Sequence, residues 1–268
     1  ESERVDLRRW IVHAVRDRDD TPSVTTALTC VALIFLLRFF MGFAMSAAPI
    51  ESFADVAVNI FVTQTVIILL PAVVLILLFT RKRRLSLLLE RLPSIPVFGM
   101  TLLLACLMRP VGDQFVVWIQ YLYPMSDEMI MIQKEFGGLL EQAPHFLWIL
   151  FLLAVLPAIC EEVTFRGLIL SGFRHIGHKW WAIALTSIVF GLTHPIMQQS
   201  LAAAIIGLVL GYLAVQTGSL IPCILFHMVY NGLELLTGYL AVHAESILAK
   251  YPDLRIVLTS PDESKALE

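Results

Sequence analysis

The sequence predicts an all-α fold, a polytopic transmembrane bundle of about seven to eight membrane helices. Of its 268 residues, 58% are hydrophobic and only 15% are charged, whereas soluble domains are nearer half apolar and a quarter charged. The apolar residues also cluster in runs close to the roughly 20 residues that cross a bilayer as a helix. The net charge of −3 and the lack of a basic patch exclude a nucleic-acid-binding protein.

Residues 1–23 are highly charged and are expected to form a juxtamembrane linker or a surface helix. They lack the apolar core and the small-residue cleavage site of a secretory signal. Because the chain starts at Glu1 and not at a methionine, we expect it to be a segment cut from a longer protein.

Residues 24–144 are predicted to hold the N-terminal transmembrane helices and a loop. Apolar runs place the spans at about 24–46, 56–80 and 95–122, and Pro110 is expected to kink the third. A polar connection, 123–144, follows.

Residues 145–240 are predicted to form the catalytic core, and 241–268 a polar C-terminal tail. The core begins with a fourth span at about 145–170. Three shorter apolar helices follow, near 180–194, 199–216 and 220–240. Gly207 and Gly211 form a small-xxx-small pair, which is typical of close helix packing in membranes.

The basic residues predict an orientation in the membrane. They are concentrated in 1–23 and in the RKRR block at 81–84, so both segments are expected on the cytoplasmic side. Alternation of the spans then places 123–144 outside and the end of the fourth span inside. The polar residues of the fourth span are therefore expected in the cytoplasmic half of the membrane.

Charged residues interrupt the fourth span in the stretch AICEEVTFRGLIL, 158–170. A charge at the bilayer centre costs at least about 2.5–3.5 kcal/mol, so such residues indicate a function. Glu162 and Arg166 are four apart on one helix face and are predicted to form an ion pair. Glu161, rotated by about 100°, then faces elsewhere beside the apolar wall of Phe165, as a general base requires.

Two further motifs place polar side chains at membrane depth. In FGLTHP, Phe190 and His194 are four apart, and Pro195 predicts that His194 lies at a helix end. In FHMVYNG, His227 and Asn231 lie one turn apart, as two donors that can stabilise an oxyanion. Each residue alone is compatible with packing or an interhelical hydrogen bond, but together they form a hydrolase set.

The stretches EEVTFRG, FGLTH and HMVYN resemble, in order, the EExxxR, FxxxH and HxxxN motifs of the CAAX-protease and bacteriocin-processing family. These intramembrane glutamate proteases include the Rce1-type CAAX endopeptidases. The resemblance covers about 145–240 and implies that Glu161 and His194 activate a water. It also implies that His227 and Asn231 form the oxyanion pocket. The other motif residues would support the site: Glu162, Arg166 and Phe190.

The expected partners follow from this resemblance: a membrane-associated protein or peptide substrate, which can be lipidated, and the lipid bilayer itself. Family members that act on prenylated proteins remove the last three residues after an isoprenyl-cysteine, but many bacterial members lack such substrates. The resemblance therefore leaves the substrate open.

Two alternatives remain at this point. The chain could be a non-catalytic membrane module that binds a partner, as part of or associated with a larger protein such as a transporter permease. It could also be a metalloprotease, since Glu161, His194 and His227 could form a zinc site. There is no HExxH motif, so no cofactor is expected. Arg38, Arg109 and Asp113 are further charges at membrane depth, which either line a polar cavity or pair locally.

Overall fold

The computed structural model describes residues 19–46 and 50–244, and the elements in these ranges are helices apart from one isolated β-bridge. The predictions for 1–18 and for 245–268 lie outside the described residues. In chain order the nine helices of the described ranges are α1 Val24–Ser46, α2 Phe53–Phe79, α3 Arg83–Ser86, α4 Ile95–Leu122, α5 Asp127–Glu141, α6 Phe146–Ile176, α7 Lys179–Leu192, α8 Met197–Thr217 and α9 Ile221–Val242.

Seven of these helices pack together into one bundle. Five of them, α1, α2, α4, α6 and α8, are long and apolar enough to cross a membrane. The shorter apolar α7 and the 22-residue α9 pack among them. Large apolar side chains such as Phe39, Leu103 and Trp118 are exposed on the outside of the bundle, where lipid and not water is the favourable neighbour. The prediction of an all-α polytopic membrane protein is confirmed.

The segment predicted as a polar connection contains α5, which the sequence interpretation missed. Ser126 caps this helix, because its Oγ accepts a hydrogen bond of 3.3 Å from the Met129 N–H. Asp127 and Glu128 occupy the first turn, where negative charge favours a helix. The sequence signal was therefore present, as a Ser followed by two acids.

One predicted helix feature differs from the structure and another stays a prediction. Pro110 lies inside α4, which is helical on both sides of it from Ile95 to Leu122, and the kink expected at this residue stays a prediction. The fourth span is longer than expected, since α6 continues to Ile176. It ends there because Gly177 adopts a left-handed conformation, with φ of 101°.

Two proline residues follow widened turns in the helices that carry the site. A π-helical segment, Thr63–Leu69, precedes Pro71 in α2, and another, Phe151–Val155, precedes Pro157 in α6. Proline lacks an N–H and crowds the carbonyl four residues earlier. A wider turn accommodates both effects without ending the helix, and such turns frequently occur at functional sites.

The close packing predicted from two glycines is observed between α7 and α8. A Cβ atom on Gly207 would lie 3.0 Å from the Ser187 Cβ, and one on Gly211 would lie 2.9 Å from the Ile183 Cγ2. A larger residue at either position would push the helices apart. The glycines therefore set the distance between α7 and α8 beside the polar core.

The start of α1 and the end of α2 lie on the same side of the bundle. The Arg81 and Lys82 N–H groups donate to the carbonyls of Asp19 and Asp20, each at 2.9 Å. The Lys82 ammonium also lies 2.7 Å from the exposed Asp20 carboxylate, and this contact lowers the pKa of Asp20 below its usual value. The two segments thus share one face, as the basic residues predicted. That this face is cytoplasmic stays a prediction.

Three of the four cysteines are buried in the bundle. Cys30, Cys160 and Cys223 are buried as small apolar residues. Cys106 is exposed on α4, on the surface that faces lipid in our interpretation.

Candidate active site

A fully buried ion pair lies at the centre of the bundle, as the spacing in α6 predicted. Glu162 and Arg166 are both 0% exposed, and Arg166 Nη1 donates to Glu162 Oε1 at 2.7 Å. Arg166 Nη2 donates to the Gly207 carbonyl at 3.3 Å, and the guanidinium lies 4.6 Å above the centre of the Phe190 ring. A buried pair with these additional contacts holds α6, α7 and α8 together and neutralises the Glu162 charge.

The neighbours of Glu161 come from three other helices, α1, α2 and α9. Its Oε1 accepts a hydrogen bond of 2.9 Å from Gln64 Nε2 in α2. Its Oε2 lies 3.9 Å from His227 Nε2 in α9. Arg38 in α1 is close enough to interact with it electrostatically. At 7% exposure, this carboxylate is held almost entirely by protein groups.

His227 lies between the two neighbouring glutamates. Its Nδ1 is 2.8 Å from Glu162 Oε1, while its Nε2 faces Glu161. Because a carboxylate only accepts hydrogen bonds, we assign the proton to Nδ1. This hydrogen bond fixes the orientation of the ring and leaves Nε2 directed at the Glu161 carboxylate.

His194 lies just beyond the end of α7, as Pro195 predicted. The helix ends at Leu192, and His194 Nδ1 is 3.1 Å from the carbonyl oxygen of Phe190. The ring also packs edge-on against Phe190, with 5.1 Å between the ring centres. Within the described residues no hydrogen bond joins His194 to Glu161, so the structure does not bring these two into direct contact.

Phe190 connects the polar residues of the site. Besides His194, its ring packs against Phe165, at 5.0 Å, and against His227, at 6.0 Å. Asn231 lies one turn beyond His227, and its Nδ2 donates to the Leu153 carbonyl at 3.3 Å. The predicted residues therefore form one cluster. Direct polar contacts join Glu161, Glu162, Arg166 and His227. His194 contacts this group through the ring of Phe190, and Asn231 contacts it through the backbone of α6.

Two residues of this environment were not singled out as site residues from the sequence. Gln64 was not recognised at all, although a glutamine in the apolar run IFVTQTVIILL was a visible signal. Arg38 was noted only as a charge at membrane depth. Both lie more than 95 residues before Glu161 in the chain, so no local spacing rule connects them to it.

The remaining charges at membrane depth pair with each other. Arg109 forms ion pairs with Asp113 on the same helix and with Glu234 in α9, the latter at 2.9 Å, and its guanidinium lies 4.6 Å from the centre of the Tyr230 ring. Of the two options left open for Arg109 and Asp113, local pairing is the observed one. This second cluster ties α4 to α9.

The chemical capacity of the site follows from its burial and its pairing. A carboxylate with little access to water is a suitable general base when a polar neighbour orients it. Glu162 is paired with Arg166 and His227, whereas Glu161 accepts a hydrogen bond from the neutral amide of Gln64. Among the residues described, no three His, Cys, Asp or Glu side chains converge as metal ligands.

The comparisons with known proteins agree with the motifs. Residues 143–233 match the family model described as type II CAAX prenyl endopeptidase Rce1-like. No curated protein and no solved structure matches the chain. The matched residues hold every motif position named from the sequence: Glu161, Glu162, Arg166, Phe190, His194, His227 and Asn231. The segment 143–233 is thus similar to the Rce1-like family of type II CAAX prenyl endopeptidases, in agreement with the three motifs.

Proposed function

We propose that this protein is an intramembrane endopeptidase that hydrolyses a peptide bond in a membrane-associated protein. The observation that carries the proposal is the unequal environment of two adjacent glutamates. Glu162 is neutralised by Arg166, whereas Glu161 lies buried beside His227, and within the described residues no Lys or Arg forms an ion pair with it. This asymmetry is expected where one carboxylate supports the fold and the other removes a proton.

In the proposed reaction, Glu161 and His194 hold a water next to the scissile carbonyl. Glu161 takes one proton from the water as its oxygen attacks the carbonyl carbon. The carbonyl becomes an oxyanion, which accepts hydrogen bonds from Asn231 and from His227, whose ring must carry a proton on Nε2 as well as on Nδ1 to donate here. The C–N bond then breaks, and the proton held by Glu161 passes to the leaving amine. No cofactor takes part in this scheme.

The two histidines could exchange part of these roles. His227 Nε2 and Glu161 Oε2 are 3.9 Å apart, so a single oxygen atom can lie within hydrogen-bond distance of both. Within the described residues His194 hydrogen-bonds to the Phe190 carbonyl and not to Glu161, and catalytic hydrogen bonds often tighten only when substrate binds. Comparing His194→Ala with His227→Ala separates these roles, because loss of the water-holding residue lowers kcat as much as loss of Glu161.

The substrate we propose as the first candidate is a lipidated membrane protein. The family model is that of prenyl endopeptidases, and the site lies among helices long enough to span the bilayer. We place the site in the cytoplasmic half of the membrane, because basic residues cluster at the shared face of α1 and α2.

Cleavage of a quenched fluorescent peptide by protein purified in detergent tests the proposal. The peptide should be assayed with and without a farnesyl group on its cysteine, against the wild type and the Glu161→Gln variant. Hydrolysis by the wild type alone, unaffected by chelators, is the expected result. Activity that is lost on chelation and restored by zinc would overturn the glutamate mechanism. If the wild type cleaves no membrane-tethered peptide and Glu161→Ala still binds a partner, the non-catalytic module is the better interpretation.

A further inference from the structure

We propose that Gln64 is a positioning residue for the general base: it holds one oxygen of Glu161 so that the other receives the proton of the water. The inference rests on the proposed function, in which Glu161 is the base. It adds a residue from α2, a helix outside the matched segment 143–233. The N-terminal helices would then contribute to the reaction and not only to membrane insertion.

The contact itself is well formed. Gln64 Nε2 lies 2.9 Å from Glu161 Oε1, although the residues are 97 positions apart in the chain. A hydrogen bond to a charged acceptor is about twice as strong as one between neutral groups. Gln64 lies in the π-helical turn Thr63–Leu69 of α2, which packs directly against the Glu161 turn of α6.

This contact makes the two oxygens of the carboxylate inequivalent. Oε1 is occupied by Gln64, and Oε2 faces His227 Nε2 at 3.9 Å. The last torsion of a glutamate has a broad, roughly two-fold preference, so without an anchor its oxygens can exchange places. Gln64 therefore selects Oε2 as the oxygen that accepts the proton, on the side where His227 lies.

A purely structural role explains Gln64 less well. Its own Oε1 is buried and has no hydrogen-bond partner within the described residues. A buried carbonyl without a partner lowers stability. Methionine has a similar length and no such group, so it would fill the same space without this cost. The structure thus carries an unfavourable group at the position that anchors Glu161.

Thr164 offers a matched control between the same two helices. Its Oγ1 donates a hydrogen bond of 3.0 Å to the Ile68 carbonyl, in the same π-helical turn as Gln64. Thr164 is fully buried, and within the described residues its side chain hydrogen-bonds to the Ile68 carbonyl and not to Glu161. Thr164→Val removes a hydrogen bond between α2 and α6 while the Gln64–Glu161 contact stays in place.

The test compares kcat, KM and the melting temperature of the wild type, Gln64→Met and Thr164→Val on one peptide substrate. We expect Gln64→Met to lower kcat by about 10- to 100-fold, which is the factor for losing a hydrogen bond to a charged group. KM should be retained, and the melting temperature should be no lower than that of Thr164→Val. We expect Thr164→Val to lower the melting temperature and to retain kcat. Wild-type kcat in Gln64→Met would overturn the inference, as would activity losses in both variants that follow their melting temperatures.

These outcomes separate the inference from the proposed function. If the wild type is active, Glu161→Gln is inactive and Gln64→Met is fully active, then only the positioning role of Gln64 is refuted. A fully active Glu161→Gln would remove the assignment of the base itself. Infrared difference spectra between wild type and Glu161→Gln isolate the carboxylate band of Glu161 without any substrate. That band should shift in Gln64→Met and not in Thr164→Val, and an unshifted band in Gln64→Met contradicts the proposal even if no substrate is found.

Discussion

Replacing Arg166 with alanine should destabilise the protein strongly, because the change removes the cationic partner of a carboxylate that solvent cannot reach. Glu162 and Arg166 are both 0% exposed, and the guanidinium also contacts the Gly207 carbonyl and the face of Phe190. Removing one partner of a buried ion pair typically costs about 3–5 kcal/mol. His227 still contacts Glu162 at 2.8 Å. We therefore expect the free energy of unfolding to fall by about 3 kcal/mol, at the lower end of that range.

Thermal unfolding in detergent measures this effect. For a chain of this size, a loss of about 3 kcal/mol corresponds to a melting temperature lower by roughly 6–12 °C. Purification yield should fall in parallel, and activity should be lost even in the fraction that remains folded, because Glu162 no longer orients His227 in the same way.

A double variant provides the control for this prediction. In Arg166→Met combined with Glu162→Gln, neither side chain carries a charge, so the main cost of the single change disappears. Replacing both members of a buried pair by apolar groups of similar volume is often close to neutral in stability, and Gln at position 162 keeps an oxygen that can accept the His227 hydrogen bond. We therefore expect the double variant to melt well above Arg166→Ala. An Arg166→Ala protein as stable as the wild type would show that water reaches Glu162 and that our interpretation of the pair is wrong.

The other predictions concern the reaction and the orientation. Glu161→Gln should keep the fold and lower kcat by at least about 10²–10⁴-fold, since glutamine cannot accept a proton. His194→Ala should lose activity to a similar extent. An active Glu161→Gln would show that Glu161 is not the general base. Asn231→Ala should lower kcat by less, about 10²–10³-fold, as for other single oxyanion donors. Unchanged kcat would show that the Asn231 amide serves only its hydrogen bond to the Leu153 carbonyl and does not bind the oxyanion. Cysteines introduced in 81–84 and at position 134, in place of Lys134, should react with an impermeant reagent from opposite sides of the membrane. Labelling of both from one side would contradict the order of the spans.

Much of the fold was predictable because it depends on local composition. The limits of α1 and α4 agree with the apolar runs at 24–46 and 95–122. The Glu162–Arg166 pair followed from helix geometry alone, because residues four apart share one face. The end of α7 before His194 followed from Pro195. In each case the signal and its consequence lie within one or two helical turns.

Local rules were insufficient where a wider turn or a short capping signal decided the result. The helix α5 was overlooked because its residues are only moderately apolar, although Ser126 and the two acids after it mark a helix start. The π-helical turns before Pro71 and Pro157 change which residues face the bundle. A regular period of 3.6 residues does not predict such a change.

The sequence by itself determined that this is a helical membrane protein, that its motifs resemble those of the Rce1-like family, and that two adjacent glutamates on one helix face different directions. Only the tertiary structure decided which distant groups meet these glutamates: Gln64 for Glu161, and His227 for both. Apolar surfaces are all compatible with lipid, so hydropathy does not specify which helix faces pack together. That choice is made by close contacts such as Gly207 against Ser187 and by the few polar groups that must find partners away from water.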